Sequence, residues 1–368
     1  MLTLKKVMVV FGTRPEAIKM CPLVKELKQR RGLETIVCVS GQHREMLDQV
    51  LDAFEVVPDY DLKIMKDKQT LFDVTTNILN EIKAVLEEVN PDLVLVHGDT
   101  STTFVTSLAC FYSQIPVGHV EAGLRTYNIY SPFPEEFNRQ AVGLVAKYHF
   151  SPTETAKAAL LKEGKNETDI YVTGNTAIDA LQTTVKDNYD HEQLKWASGS
   201  RLILLTAHRR ENQGEPMHRM FRAVRRIVEE FPDVKVLYPI HMNPVVRKAA
   251  QEELSGNDRI RIIEPLEVLD FHNFLARSYL IVTDSGGIQE EAPSLGVPVL
   301  VMRDTTERPE GITAGTLKLV GTDEQVIYDE LNLLLDDAIA YRRMSQASNP
   351  YGDGQASRRI ADIIESNE

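Results

Sequence analysis

The chain has 368 residues, which suggests about two domains of ordinary size with material for a core in each. A formal net charge of −13 argues against a general nucleic-acid binder, and 43% apolar with 26% charged residues is the balance of a soluble globular protein. Cys21, Cys38 and Cys110 are an odd number with no CxxC, so neither a disulfide framework nor a zinc site is indicated.

Along the chain, short apolar runs alternate with amphipathic segments, the pattern of parallel βα units. Lys6 to Phe11 reads as a buried strand, too short for a signal peptide and soon followed by Arg14 and Glu16. No stretch approaches the roughly 20 apolar residues of a membrane span, so no membrane partner and a reducing cytoplasm are expected. Pro15 to Arg30 predicts a helix, Ile36 to Ser40 a strand and Arg44 to Phe54 a helix. Thr70 to Val89 predicts a long helix with Leu71, Val74, Ile78, Ile82, Val85 and Leu86 on one face. Strands at Leu93–His97, Val117–Glu121 and Tyr148–Ser151 alternate with helices at Thr102–Ser113, Phe137–Ala146 and Thr155–Glu163.

The strand pattern lapses between about Thr173 and Gly199, where a domain join is expected. A second alternating series starts at Leu202. Its clearest helix is Pro216 to Phe231, whose Arg219, Arg222, Arg225 and Arg226 read as a solvated face rather than a binding stripe. Strands recur at Val234–Tyr238, Ile260–Ile263, Leu280–Thr283 and Val297–Met302, then a late helix at Val326–Arg343 and a last one at Ala356–Ser366. The fold class is therefore α/β, with two doubly wound parallel-sheet (Rossmann-like) domains facing across a cleft.

Polar residues gather after the strands of both halves, as at Gly12-Thr13-Arg14, Gly41-Gln42-His43, His97-Gly98-Asp99, His208-Arg209-Arg210, Pro239-Ile240-His241 and Asp284-Ser285-Gly286. Thr283 to Pro293 carries the strongest ligand signal. There an apolar run stops at Asp284-Ser285, and Gly286-Gly287 precede an acidic helix that Pro293 keeps short or kinked. Glu290 and Glu291 suit sugar hydroxyls rather than phosphate. Arg14, Lys19, Arg209, Arg210 and Arg308 are cations suited to a diphosphate, for which charge-assisted hydrogen bonds of about 1.5–3 kcal/mol outweigh helix dipoles. Surface ion pairs are the plainer alternative, above all for Arg210 beside Glu211. Asp99, Glu121 and Glu135 stand at or near strand ends, where neighbouring carboxylates split their proton affinities into an acid and a base. His208 adds a group that changes charge near neutral pH. Asp99 could instead cap the following helix, and His119 fits a hydrogen-bonded core histidine. No HxxxH spacing supports a metal, and no GxGxxG or GxxxxGK[ST] supports a nicotinamide or P-loop cofactor, so no cofactor is expected.

Taken together these runs resemble the non-hydrolysing UDP-N-acetylglucosamine 2-epimerases over essentially the whole chain. The matching segments are Phe11-Gly12-Thr13-Arg14-Pro15-Glu16-Ala17-Ile18-Lys19, Val96 to Thr100, Gly118 to Thr126, Ser131 to Glu136, His208 to Glu211, Thr283 to Leu295, Arg303 to Glu310 and Asn349 to Gly354. The resemblance implies a glycosyltransferase-B-like fold. Residues 1–172, with 353–368 packing back on them, would form the first domain, and 173–352 the UDP-binding second. It implies a homodimer, the ligands UDP-N-acetylglucosamine, UDP-N-acetylmannosamine and UDP, and a product feeding cell-envelope polysaccharide. By motif, Asp99, Glu121, Glu135 and His208 would be catalytic. Arg14, Ser285, Gly286 and Gly287 would hold the phosphates, Glu291 the ribose and Phe271 the uridine, with Lys19 and Arg308 supporting. Gln42, His43, Arg209 and His241 match an activator site that some bacterial members use, although Glu45 and Lys68 stand where those members have Gln and Arg. Leu266 replaces a frequent Gln, and Phe133 a frequent Trp. The rival readings are a hydrolysing relative, usually fused to a sugar kinase that is not expected here, a glycosyltransferase, and a non-catalytic UDP-sugar sensor.

Overall fold

Strand pairing gives two separate sheets, every adjacent pair parallel, in a computed structural model that describes residues 4–41, 44–66, 68–306 and 308–366. The first holds β1 (Lys5–Phe11), β2 (Leu33–Val39), β3 (Tyr60–Asp61), β4 (Leu93–His97), β5 (Val117–Val120), β6 (Tyr148–Ser151) and β7 (Ile170–Val172), in the order β3-β2-β1-β4-β5-β6-β7. The second holds β8 (Arg201–Thr206), β9 (Val234–Pro239), β10 (Ile260–Ile263), β11 (Leu280–Thr283), β12 (Val299–Val301) and β13 (Leu317–Leu319), in the order β10-β9-β8-β11-β12-β13. Two doubly wound α/β units result, the class expected.

The unbroken apolar runs of the sequence are strands buried on both faces. Along β8, Ile203 and Leu205 join one core with Met217, Phe221 and Tyr238, while Leu202 and Leu204 join another with Phe274 and Ile281. In the first unit, Met8, Val10, Val94 and Val96 pack against Val74, Ile78 and Ile82 of the helix Leu71–Val89. Leu71 itself is exposed, because the helix starts at Leu71 behind a Thr70–Asp73 capping box and its first turn lies off the core.

One unit comprises residues 1–183 and 351–368, the other 184–350. The first join thus falls at 183/184, inside the stretch from 173 to 199 where the strand pattern lapses, and all but the last residue of the helix Thr176–Thr184 stay with the first unit. That helix buries Ala177, Ile178, Ala180 and Leu181, and its Asp179 accepts the N–H groups of Ser357 (2.7 Å) and Ala356 (3.2 Å), which open the helix Ala356–Ser366. Arg30 fixes the far end of that last helix through Asp362 at 2.6 Å, and Lys5 Nζ donates to the Ile364 carbonyl at 3.1 Å.

The remaining departures from the sequence reading are local. The single late helix is two, Glu324–Asp336 and Ala338–Ser345. Asp337 leaves helical geometry (φ −101, ψ 100) and accepts the N–H groups of Ile339 and Ala340, ending one helix and capping the next. The arginines of the helix Glu215–Glu230 are partly to fully exposed, as expected, and in addition clamp neighbouring segments. Arg222 pairs with Glu324 at 2.8 Å, Arg226 lies 3.6 Å over the Tyr328 ring, and Arg219 Nε donates to the Thr322 carbonyl. β3, β7 and β13, of two or three residues, were too short to announce themselves by period. No helix among the described residues is long and apolar enough to cross a membrane.

Candidate active site

In doubly wound sheets ligands bind outside the carboxyl ends of the strands where the strand order reverses. That point lies between β1 and β4 in the first unit and between β8 and β11 in the second.

In the first unit β1 ends at Phe11, and a Cβ on Gly12 would overlap Ser40 Oγ and stand 2.5 Å from Thr102 Oγ1, so glycine lets the ends of β1 and β2 meet the helix Ser101–Tyr112 there. Thr13 caps the helix Arg14–Lys28 in a capping box with Glu16. The Glu16 carboxylate, buried, accepts from Gly12 N (3.0 Å) and Thr13 N (2.8 Å) on one oxygen, and from Thr100 Oγ1 (2.8 Å) and Thr103 Oγ1 (3.1 Å) on the other. Burial raises its proton affinity above the usual carboxylate value despite these donors. This residue ties the Arg14 segment to the Asp99–Thr100 turn, and the sequence signal for it was the Thr13–Glu16 spacing.

Asp99 does not cap the following helix; Thr100 does, accepting from Thr103 N. Arg139 lies 2.5 Å from the Asp99 carboxylate, and Asn138 Nδ2 donates to its carbonyl at 2.8 Å. Both partners sit on the helix Glu135–Val145, so the element that begins with Glu135 is pinned to the end of β4. Glu135 is half-buried, and its carboxylate takes no hydrogen bond among the described residues. Next to it, Glu136 is buried and accepts from Thr126 N and Tyr127 N, both at 3.0 Å, fixing the loop that leads into the helix.

Glu121, one residue past β5, adopts the left-handed region (φ 64), a strain of order 1–3 kcal/mol for a residue with a side chain. Its carboxylate is held by Lys19 and by Asn175 Nδ2 at 3.3 Å, and His97 Nε2 lies 3.7 Å away without a hydrogen bond among the described residues. Burial drives His97 down to about 4, against the pull of Glu121, so the imidazole beside this carboxylate is neutral at physiological pH. His119 is a core histidine as expected, its Nε2 2.7 Å from the Gly98 carbonyl, and burial lowers it to about 3. Asn175 and Arg139 were not singled out from the sequence; each lies tens of residues from the acid it holds.

In the second unit β8 and β11 end in register at Thr206 and Thr283, whose hydroxyls are 2.6 Å apart. Asp284 follows, fully buried. Its Oδ2 accepts from His208 N (2.9 Å), Arg209 N (2.9 Å) and Asn212 Nδ2 (3.1 Å), and its carbonyl accepts from Arg209 Nε (2.8 Å). The His208 ring stacks on His241 with centroids 5.4 Å apart and planes 13° apart. Arg209 and His241 therefore adjoin His208. Gln42 and His43 lie outside the described residues. Glu211 pairs with Arg209 (3.5 Å) and Arg303 (3.8 Å), while Arg210 is exposed.

The Ser285 N–H is spent on Thr283 Oγ1 at 2.9 Å, but those of Gly286 and Gly287 make no hydrogen bond among the described residues. At Gly287 φ is −60 and a Cβ would meet nothing nearer than Glu291 Oε1 at 3.9 Å, so the fold does not require glycine there. Glu290 is buried against Arg308, Nε to Oε1 2.6 Å, and is not presented as a hydroxyl acceptor. Glu291 faces His272 at 3.8 Å, and His272 Nδ1 lies 2.7 Å from Thr184 Oγ1. Phe271 is half-buried on the helix Val268–Arg277, packed beside Leu266 on the core of Leu202 and Leu204. Among the described residues no group of three His, Cys, Asp or Glu side chains is placed to hold a metal.

Residues 25–365 match the family model described as UDP-N-acetylglucosamine 2-epimerase. The chain is 64% identical over 359 residues to the UDP-N-acetylglucosamine 2-epimerase of Bacillus subtilis, covering 98% of this chain and 94% of that protein. Among solved structures it is similar to S. aureus MnaA with UDP, at 57% identity and TM-score 0.89, over 98% and 96% of the two chains. It is also similar to the UDP-GlcNAc 2-epimerase of Neisseria meningitidis bound to UDP-GlcNAc, at 49% identity and TM-score 0.89, over 98% and 100%. These likenesses agree with two glycosyltransferase-B-like units.

Proposed function

This chain belongs to the UDP-N-acetylglucosamine 2-epimerase family and has an epimerase function, and from that premise we propose that it interconverts UDP-N-acetylglucosamine and UDP-N-acetylmannosamine without hydrolysis. The observation that carries this reading is the gathering of Asp99, Glu121 and the Glu135 helix at the end of the first unit's β4 and β5. Two of these carboxylates are already held in place by cations, through Arg139 and Lys19.

The C2 hydrogen of the sugar has no carbonyl beside it, so simple deprotonation would leave an unstabilised carbanion. Elimination avoids this. The C1–O bond to UDP breaks with the electron pair going to the diphosphate, the C2 proton passes to a carboxylate, and a 2-acetamidoglucal results. A proton delivered to the opposite face of C2 and re-addition of UDP at C1 complete the inversion. One of Asp99, Glu121 and Glu135 removes the proton and another returns it, because a single base on one face would restore the starting configuration.

The second unit supports the departing diphosphate. There Gly286 and Gly287 offer their N–H groups, His208 contributes from the end of β8 and Arg308 neutralises Glu290, while in the first unit Arg14 offers a cation after β1 and Lys19 neutralises Glu121. Glu291 accepts from the ribose and Phe271 packs on the uracil. A cytoplasmic homodimer supplying cell-envelope polysaccharide is part of the same reading.

Proton NMR of the protein with UDP-N-acetylglucosamine in D2O tests it. Deuterium is expected at C2 of both epimers while the nucleotide stays attached. Free N-acetylmannosamine accumulating with UDP would instead make the enzyme hydrolytic, and an unchanged C2 proton signal would refute the elimination.

A further inference from the structure

The Asp284 side chain is fully buried at the second unit's switch point, yet its two oxygens are used unequally. Oδ2 accepts three N–H groups, from His208, Arg209 and Asn212. Oδ1 receives no hydrogen bond among the described residues and lies 3.3 Å from His208 Nδ1, within ion-pair range but off line for a hydrogen bond. A buried carboxylate oxygen without a donor is costly, and turning the imidazole would remove that cost. The His208 side chain is 40% exposed, and since its Nδ1 lies on the fully buried Asp284, Nε2 is the nitrogen left for a ligand.

The groups facing this ring are Asp284 after β11, His241 after β9, and Arg209 and Glu211 on its own segment. Burial holds the ring below the usual imidazole value. Asp284 opposes this, His241 and Arg209 add to it, and Glu211 opposes it more weakly. Near pH 7 the ring is therefore neutral before a ligand arrives.

We propose that Asp284 is a positioning residue for His208: Oδ1 keeps the proton of the neutral ring on Nδ1 and becomes its counter-charge when the diphosphate of a nucleotide sugar draws a second proton from solvent onto Nε2. Binding is thereby coupled to proton uptake. The imidazolium is in place before the C1–O bond breaks, and so faces the new negative charge without a proton transfer at that moment. The proposal deepens the reading above and rests on one part of it, that His208 meets the diphosphate.

Calorimetric titration of the full chain with UDP-N-acetylglucosamine, in two buffers of equal pH and different ionisation enthalpy, counts the protons. This ligand's diphosphate does not titrate near neutrality, so the count belongs to the protein. Uptake approaching about one proton per bound nucleotide is expected near pH 7.5, with affinity weakening by up to about tenfold per pH unit between the free and the bound ring's pKa and levelling off above the latter. His208→Asn is expected to abolish the uptake. In Asp284→Asn the three N–H donors at Oδ2 force the amide oxygen to that position and turn the NH2 toward Nδ1, which selects the wrong tautomer. That variant is expected to lose at least about half of the uptake and flatten the pH dependence of binding.

Tight binding with no uptake by the unaltered protein would overturn the proposal and leave the site reading standing. No binding at all would overturn the site reading, and the proposal with it. Full uptake in a folded Asp284→Asn would overturn the part given to Asp284. Should that variant fail to fold, equal proton counts in the unaltered protein and His208→Asn would overturn the proposal alone.

Discussion

Two glycines in the strand-end loops look alike in sequence and differ in what constrains them. Gly12 is fixed by protein atoms, since a methyl group there would overlap Ser40 and Thr102. Gly287 is not, because its backbone suits any residue and a methyl group would have ordinary contacts. Gly287→Ala is thus expected to unfold at the same temperature as the unaltered protein while UDP affinity falls by about tenfold or more, the methyl standing where a phosphate approaches. Gly12→Ala is expected to lose about 1–3 kcal/mol of stability through overpacking, measured by denaturant titration. The motifs made the location of both loops legible, because glycines and hydroxyls after an apolar run mark a strand end. The capping of Thr13 by Glu16 was legible in their spacing, but its tie to Thr100 and Thr103 was not, nor were the roles of Asn175 and Asp284. Each works through partners that only the parallel topology brings near, as Asp284 does with main-chain N–H groups more than seventy residues earlier. Glu290 shows the reverse error: chemically suited to hydroxyls, it is consumed by Arg308.

Among elements, strands were read most reliably, because burial on both faces of a parallel sheet leaves a continuous apolar run with sharp ends; β4 and β6 fall where the sequence put them. Helices were misjudged where a polar side chain, and not a glycine or proline, ends them, as at Asp337. Asp179 does comparable work at longer range by capping the helix Ala356–Ser366 from another helix. Replacing it with alanine strips two buried N–H groups of their acceptor, which costs about 0.5–2 kcal/mol at a helix start. Amide exchange in Asp179→Ala is expected to speed up over 356–366 while the strands of the second unit keep their protection. Equal loss in both units would show the cap to be coupled to global stability.

Across the whole molecule, the three cysteines report opening. Cys21, Cys38 and Cys110 are buried, and burial pushes each thiol up to about 12, so almost no thiolate exists at neutral pH. All three lie in the first unit. An aromatic disulfide reagent is expected to label none of them in native buffer and all three in denaturant. Labelling at intermediate denaturant would follow the unfolding of that unit alone. Fast native labelling of any one would contradict the packing described.

The return of residues 351–368 to the first unit makes 184–350 an insertion within it. On the ribosome this sets an order: the inserted segment is made whole before its host has received the helix that Asp179 and Arg30 await. The host must wait with that docking surface bare, and nascent chains stalled in the inserted segment are where a chaperone would find something to hold.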